Sequence, residues 1–288
     1  MFPIRRLNIL LVMAAILLAA CETSTTDFEV ITPVDESATP GPTSKVSFTP
    51  RPIPVELTNT PARIFPSPTS TPAICSPFPG YLRDDLIASI SNPFHPPRPG
   101  SDDPHQGVDL AVQQDGIALP GGNVLTVLSG QVAAVIIDRF PYGNALMVET
   151  PVEALPASWS LKFQLPTPVP TLPPHPALTC PPAVVAPDWS QEKRSLYLLY
   201  AHMQKPPSAE LGDLVSCGAL IGQIGQSGNA LNPHLHLEAR LGPAGARFNS
   251  IAHYVANATP QEMSYYCTWR VSGIFQLVDP VLLLGILP

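Results

Sequence analysis

The chain has 288 residues, of which 38 are proline and only 13% are charged, so part of its length cannot build a hydrophobic core. Its formal net charge of -7 and its lack of any Lys/Arg block exclude nucleic-acid binding of the electrostatic kind, which needs a concentrated basic surface.

At the N-terminus, Arg5 and Arg6 precede the apolar run 7–18, interrupted only by Asn8. The run is shorter than the roughly 20 residues a bilayer-spanning helix needs, so residues 1–20 read as an export signal. Leu18-Ala19-Ala20-Cys21 resembles the lipobox of bacterial lipoproteins. That resemblance implies cleavage before Cys21, lipidation of that cysteine, and an exported protein anchored to a membrane of the cell envelope. An ordinary secretory signal cleaved near Ala20 is the alternative. Several acyl chains on one residue would anchor firmly, because binding grows with buried methylenes.

Residues 22–73 are rich in Pro, Thr and Ser, which bury too little apolar surface to offset ordering. With Cys21 they form a predicted disordered tether over 21–74. It would reach on the order of 150 Å if fully extended and nearer 40 Å as a random coil. The folded domain is expected over 75–288. A short helix is predicted over 81–90, ended by Asn92-Pro93. A proline-rich loop then leads to His105-Gln106-Gly107-Val108-Asp109. A histidine and a carboxylate spaced this way, beside a glycine that permits a tight turn, suit two ligands of one metal. Taken alone the pair is weak, and a surface hydrogen bond explains it equally well.

Strand segments follow at 124–128, 131–137 and 145–149, separated by Pro120-Gly121-Gly122, Ser129-Gly130 and Tyr142-Gly143-Asn144. Short strands with tight turns and almost no helical period predict a mainly β, antiparallel architecture. Residues 151–194 break the pattern and read as a long surface insertion, which loop-closure entropy tolerates. Strand signal resumes at 195–202 and ends on His202, by itself a packed or hydrogen-bonded residue. The glycines of 217–228 suit strands turning in a small barrel-like sheet, not a phosphate loop. They lead into Asn232-Pro233-His234-Leu235-His236-Leu237-Glu238. In an extended chain His234 and His236 share one face while Leu235 and Leu237 share the other.

Taken together, these motifs resemble the lysostaphin/LytM-type zinc endopeptidases of bacterial cell walls. The resemblance covers roughly 92–240 plus Val278-Asp279-Pro280. It rests on His105 to Asp109 as His-x-x-x-Asp, Tyr200-Ala201-His202, Gly212 to Val215 as Gly-Asp-x-Val, and His234-Leu235-His236. It implies a barrel-sandwich hybrid fold of the duplicated hybrid motif kind. It also implies zinc bound by His105, Asp109 and His236, with His234 and His202 serving catalysis beside it. The expected substrate is a peptidoglycan cross-link or stem peptide. Two neutral imidazoles and one carboxylate leave zinc a net positive charge and an open position, as a catalytic site requires. His234 is then the expected general base, and His202 orients water or stabilises an oxyanion. No His-Glu-x-x-His helix is present, which argues against thermolysin-like chemistry.

His95, His175 and His253 read as surface residues, with His95 the one closest in sequence to the cleft. Glu238 alternates onto the histidine face and is either a partner for an imidazole or a solvated strand end. Apart from Cys21, the four cysteines 75, 180, 217 and 267 suggest two disulfides with three possible connectivities. The bridges are expected to pin segments with little core of their own, and a Cys₄ zinc site is disfavoured because no Cys-x-x-Cys pair occurs. Two departures from the family pattern are the insertions at about 151–194 and 241–276, which are expected to border the groove. A third is Pro93-Phe94-His95-Pro96-Pro97-Arg98 in place of Phe-Gly-x-Arg. The alternative function is a non-catalytic wall-binding module or an activator of another hydrolase, and a protein regulator of the site is a further possible partner.

Overall fold

Strand β8 (Arg194–Met203) sets the layering of the domain. Its sequence is apolar at nearly every position, and nine of its ten residues are buried. Such a strand has both faces covered. Leu196, Leu198 and Tyr200 point into one hydrophobic cluster, while Tyr197, Leu199 and Ala201 point into a second. The computed structural model describes residues 73–95, 105–155, 159, 177–183 and 188–285. The predicted signal, Cys21, most of the tether, His175, and the proline-rich centre of the first insertion lie outside the described residues.

The elements in chain order are α1 (Arg83–Ser89), β1 (Ile90–Asn92), β2 (Val108–Leu110), β3 (Gln113–Gln114), β4 (Ile117–Ala118), β5 (Asn123–Leu125), β6 (Gly130–Arg139) and β7 (Gly143–Pro151). After β8 come β9 (Leu214–Val215), β10 (Leu220–Gln223), β11 (Leu235–Pro243), α2 (Pro260–Arg270), β12 (Gln276–Val278) and α3 (Pro280–Leu284). The main sheet runs β1-β2-β11-β8-β7-β6-β9, with β12 also paired to β11, and β5–β10 and β3–β4 form two small pairs. All these pairings are antiparallel. The expected mainly β, antiparallel architecture is what the chain adopts, as an open sheet rather than a closed barrel.

The first cluster lies between this sheet and a layer holding Val124, Ile221 and Ile224, with Leu86 of α1 and Leu283 of α3 beside it. The second lies on the opposite face and is closed by Phe248, Tyr265, Trp269 and Phe275. This corrects the expectation that the 241–276 segment has little core of its own. Strand β11 itself continues to Pro243, and α2 then supplies much of the second core. Thr259 caps α2 by accepting from the Glu262 N–H at 3.2 Å, while Glu262 Oε2 accepts from the Thr259 N–H at 2.9 Å, and Pro260 starts the first turn. Trp269 is fully buried against Tyr197, Phe248 and Phe275, with the Arg240 guanidinium 5.1 Å from its ring. Trp269→Ala is therefore expected to lower stability by about 3–5 kcal/mol, the range for deleting a buried aromatic. Denaturant unfolding measures it, and a loss below about 1 kcal/mol would show that α2 is peripheral.

Two disulfides resolve the open connectivity. Cys75–Cys217 ties the start of the domain to the turn after β9, and Cys180–Cys267 ties the 151–194 connection to α2. Each is worth about 2–4 kcal/mol in general. Among the described residues no helix is long and apolar enough to cross a membrane.

Candidate active site

The site lies on the same sheet face as the second core, where β2 and β11 pair. Leu235, Leu237 and Ala239 of β11, with Val108 and Leu110 of β2, point into the first core. Alternation therefore turns Asp109, His236 and Glu238 to the other side, and the register sets His236 opposite Asp109. His105 reaches them from the segment leading into β2. Gly107 is needed there because a Cβ would stand 2.7 Å from His236 Cε1 and 2.6 Å from the Leu237 carbonyl oxygen. Close approach, not the tight turn expected from the sequence, accounts for this glycine.

Three ligand atoms converge. His105 Nε2 lies 2.9 Å and His236 Nδ1 2.8 Å from Asp109 Oδ1, and the two nitrogens are 3.1 Å apart. Their outer nitrogens face protein oxygens. His105 Nδ1 donates to the Pro93 carbonyl at 2.9 Å, and the remote Nε2 of His236 faces Glu238 Oε2 at 3.6 Å. Both inward nitrogens can turn lone pairs toward a cation shared with the carboxylate oxygen, and with no cation among them a proton on an inward nitrogen bridges to Asp109 Oδ1 instead. Burial opposes ionisation of Asp109, yet hydrogen bonds from His105 and His236 hold its carboxyl well below the usual carboxylate range. Burial likewise opposes protonation of His236, and Asp109 and Glu238 outweigh it, raising its pKa. The donor set of two imidazoles and one carboxylate fits zinc.

His234 and His202 stand beside this cluster. His234 Nδ1 donates to the Asn232 carbonyl at 2.7 Å, leaving Nε2 as an acceptor 3.5 Å from Asp109 Oδ1. His202 Nδ1 donates to the Ser227 carbonyl at 2.7 Å, and its ring centroid is 4.8 Å from that of His234. Burial, with His236 and His234 nearby, pulls the His202 pKa down to about 3. Strict alternation after Leu198 and Tyr200 would send His202 into the first core. Instead His202 adopts φ 63°, a β-bulge between β7 and β8 takes up the extra residue, and Met203 packs into the first core in its place. The bulge aims the imidazole into the site, held by the His202 N–H donating to the Tyr142 carbonyl at 3.0 Å.

Glu238 is fully buried, which decides between the two readings of this residue in favour of a partner for His236. Its carboxylate accepts from Arg240 Nε at 2.7 Å and from the Tyr142 hydroxyl at 3.0 Å. Arg270, from the end of α2, donates to the Tyr142 hydroxyl at 3.1 Å and lies 3.6 Å from Glu238. Sequence reasoning missed Arg270 together with its helix. The signal available was Thr259-Pro260-Gln261-Glu262, a capping box with proline at the first helical position.

The remaining predicted histidines separate. His95 is exposed, and its N–H donates to the His105 carbonyl at 2.9 Å. His253 was expected at the surface but is 1% exposed. Its ring packs 4.0 Å from Tyr254 and 4.8 Å from Tyr266, and its Nε2 is 2.8 Å from the Thr179 carbonyl oxygen, because the 241–276 segment folds into the core. Asp279 of the terminal motif caps α3, accepting from the Val281 N–H at 2.8 Å. The five predicted site histidines and carboxylates all open onto one cleft of about 1140 Å³, with Ile117 and Leu231 as apolar lips.

Residues 189–249 match the family model described as Peptidase family M23. No curated protein matches the chain. Among solved structures, the chain is similar to a mutant catalytic domain of the prophage-encoded M23 protein EnpA from Enterococcus faecalis. That match has 22% identity, covers 62% of this chain and 93% of that one, and has a TM-score of 0.33. The catalytic domain of lysostaphin from Staphylococcus simulans matches at 16% identity, covering 71% of this chain and 98% of that one, with a TM-score of 0.36. A zinc-containing peptidase from Vibrio cholerae matches at 23% identity over 52% of this chain and 32% of that one, with a TM-score of 0.28. The sequence resemblance thus has a counterpart in the family model: residues 189–249, which hold His202, His234 and His236, match the model of Peptidase family M23.

Proposed function

We propose that the chain is a zinc-dependent endopeptidase that hydrolyses peptide cross-links or stem peptides of bacterial peptidoglycan. The convergence of His105, Asp109 and His236 on one point, with two further imidazoles beside it, carries this reading. Zinc held by these three residues would supply Lewis acidity toward a peptide carbonyl and lower the pKa of water. The Glu238 carboxylate lies behind the His236 ring, and the Pro93 carbonyl holds His105 at its Nδ1.

His234 is the general base. Its Nδ1–H is held by the Asn232 carbonyl, so the lone pair of Nε2 faces the cluster and can take a proton from water. The same atom returns that proton to the leaving amine. His202 stays neutral at ordinary pH, and with Nδ1–H given to Ser227 its Nε2 is an acceptor. Of the two roles open to it, orienting water fits this state, whereas stabilising an oxyanion needs a donor. The test is chemical: purified protein should bind about one zinc and release peptide fragments from cell-wall sacculi, and a zinc-loaded protein inert on several wall chemotypes would overturn the reading.

The anchoring proposal is separate and rests on Leu18-Ala19-Ala20-Cys21. Cys21→Ser should move the protein from the detergent phase to the aqueous phase on partitioning, and unchanged partitioning would refute lipidation at this residue.

A further inference from the structure

Tyr142-Gly143-Asn144, a turn already visible in the sequence, contributes no atom to the ligand cluster. It packs instead against a second turn, Ser227-Gly228-Asn229, and hydrogen bonds join the two. The Ser227 hydroxyl accepts from the Asn144 N–H at 2.9 Å, and the Asn229 N–H donates to the Pro141 carbonyl at 2.8 Å. Glycine permits this approach: a Cβ on Gly143 would stand 2.6 Å from the Gly228 nitrogen and nearer still to Ser227.

His202 is held by these two turns at every side. Its N–H donates to the Tyr142 carbonyl at 3.0 Å, and its ring Nδ1–H donates to the Ser227 carbonyl at 2.7 Å. The next carbonyl along the chain, that of Met203, accepts from the Ser227 hydroxyl at 2.8 Å and from Asn144 Nδ2 at 3.3 Å. Asn144 Oδ1 accepts from the Asp138 N–H at 3.0 Å, which fixes the direction of the amide. Asn144 also stands opposite Met203 in the β7–β8 register, at the edge of the bulge that turns His202 into the site. The left-handed φ of 63° at His202 costs a residue with a Cβ energy, and such a backbone persists only where its surroundings over-determine it. Neither Ser227 nor Asn144 belongs to a hydrophobic cluster.

Resting on the peptidase reading, we infer that Ser227 and Asn144 are positioning residues that act through His202. They clamp the Met203 carbonyl from two strands, and the Ser227 main chain sets the imidazole. The strained backbone and the ring are thereby locked as one unit, with Nε2 of His202 turned away from Ser227 as an acceptor.

The test uses the full zinc-loaded chain, a soluble cross-linked stem peptide, and ¹⁵N spectra of the histidine rings, with the His202 signals assigned by their loss in His202→Gln. The unmodified chain should show His202 as the neutral Nδ1–H tautomer. Ser227→Ala and, separately, Asn144→Ala should lower kcat about ten- to a hundredfold, the scale of a small misplacement. KM should stay within about twofold, zinc content should not change, and the Nε2–H tautomer should become visible in Ser227→Ala. A merely structural role would lower stability and leave the kcat and the tautomer of the folded protein alone, and that result overturns the assignment. So does an Nε2–H tautomer in the unmodified chain, which decides the matter even if neither variant folds. Wild-type kcat in both variants likewise overturns it and leaves the peptidase reading standing. An unmodified chain inert on the peptide sinks the peptidase reading, while the ring spectra still decide whether Ser227 sets His202.

Discussion

His234→Ala is expected to lower peptide-bond cleavage by about 10²- to 10⁴-fold while zinc content stays at the wild-type level. The magnitude is that of removing a positioned general base. The split between activity and metal follows from geometry. His234 Nε2 is 3.5 Å from Asp109 Oδ1, farther than either ligand nitrogen, and its other nitrogen is fixed by Asn232. Nothing in the ligand cluster depends on it for support. Steady-state kinetics beside metal analysis reads both quantities. Zinc lost along with activity would make His234 a ligand, and activity retained would remove it from the chemistry. A wall-docking protein would keep its docking function in this variant, so the same substitution separates the enzyme from the binding-module alternative.

His236→Ala is expected to abolish both bound zinc and cleavage. His236 provides one of three converging donors, with its Nδ1 2.8 Å from Asp109 Oδ1 and its Nε2 3.6 Å from Glu238 Oε2. Removing it also strands Glu238, a fully buried carboxylate, with one neighbour fewer. Arg240 and Tyr142 still hold that carboxylate, so the fold should survive the loss better than the metal does. Metal analysis after dialysis, with circular dichroism to confirm folding, measures the effect. A folded variant that keeps one zinc per chain would contradict the assignment.

Much of the site was legible because strand alternation is a local rule. His236 and Asp109 each sit between two residues that enter the first core, so their faces follow from the sequence once the strands are placed. His202 was legible only through its resemblance to the family motif. Alternation alone sends it to the wrong side, and the left-handed φ that reverses it occurs at a histidine, with no glycine to announce it. The weakness of His105 to Asp109 as a motif also has a physical reason. The spacing gains meaning only from β11 lying alongside β2, a pairing across more than a hundred residues.

The segment 241–276 was misjudged for a different reason. It was set apart as an insertion because it lengthens the family pattern between His236 and Asp279, yet its aromatic residues fill the space over Tyr197 and Leu199 that the sheet leaves open. That packing is decided by the far side of the sheet and leaves no periodic trace in the segment itself. The capping box at Thr259 was the readable sign of order there. His253 followed the same error, since a histidine in a presumed loop is assigned to solvent until the loop is known to be core.

The most direct measurement of the central claim is mass spectrometry of the fragments released from purified cell-wall sacculi by the zinc-loaded protein, with a chelated control. The account predicts muropeptides with newly cut peptide bonds and intact glycan, absent from the control. Release that persists in chelator, glycan cleavage in place of peptide cleavage, or no release by a protein shown to hold zinc would contradict it.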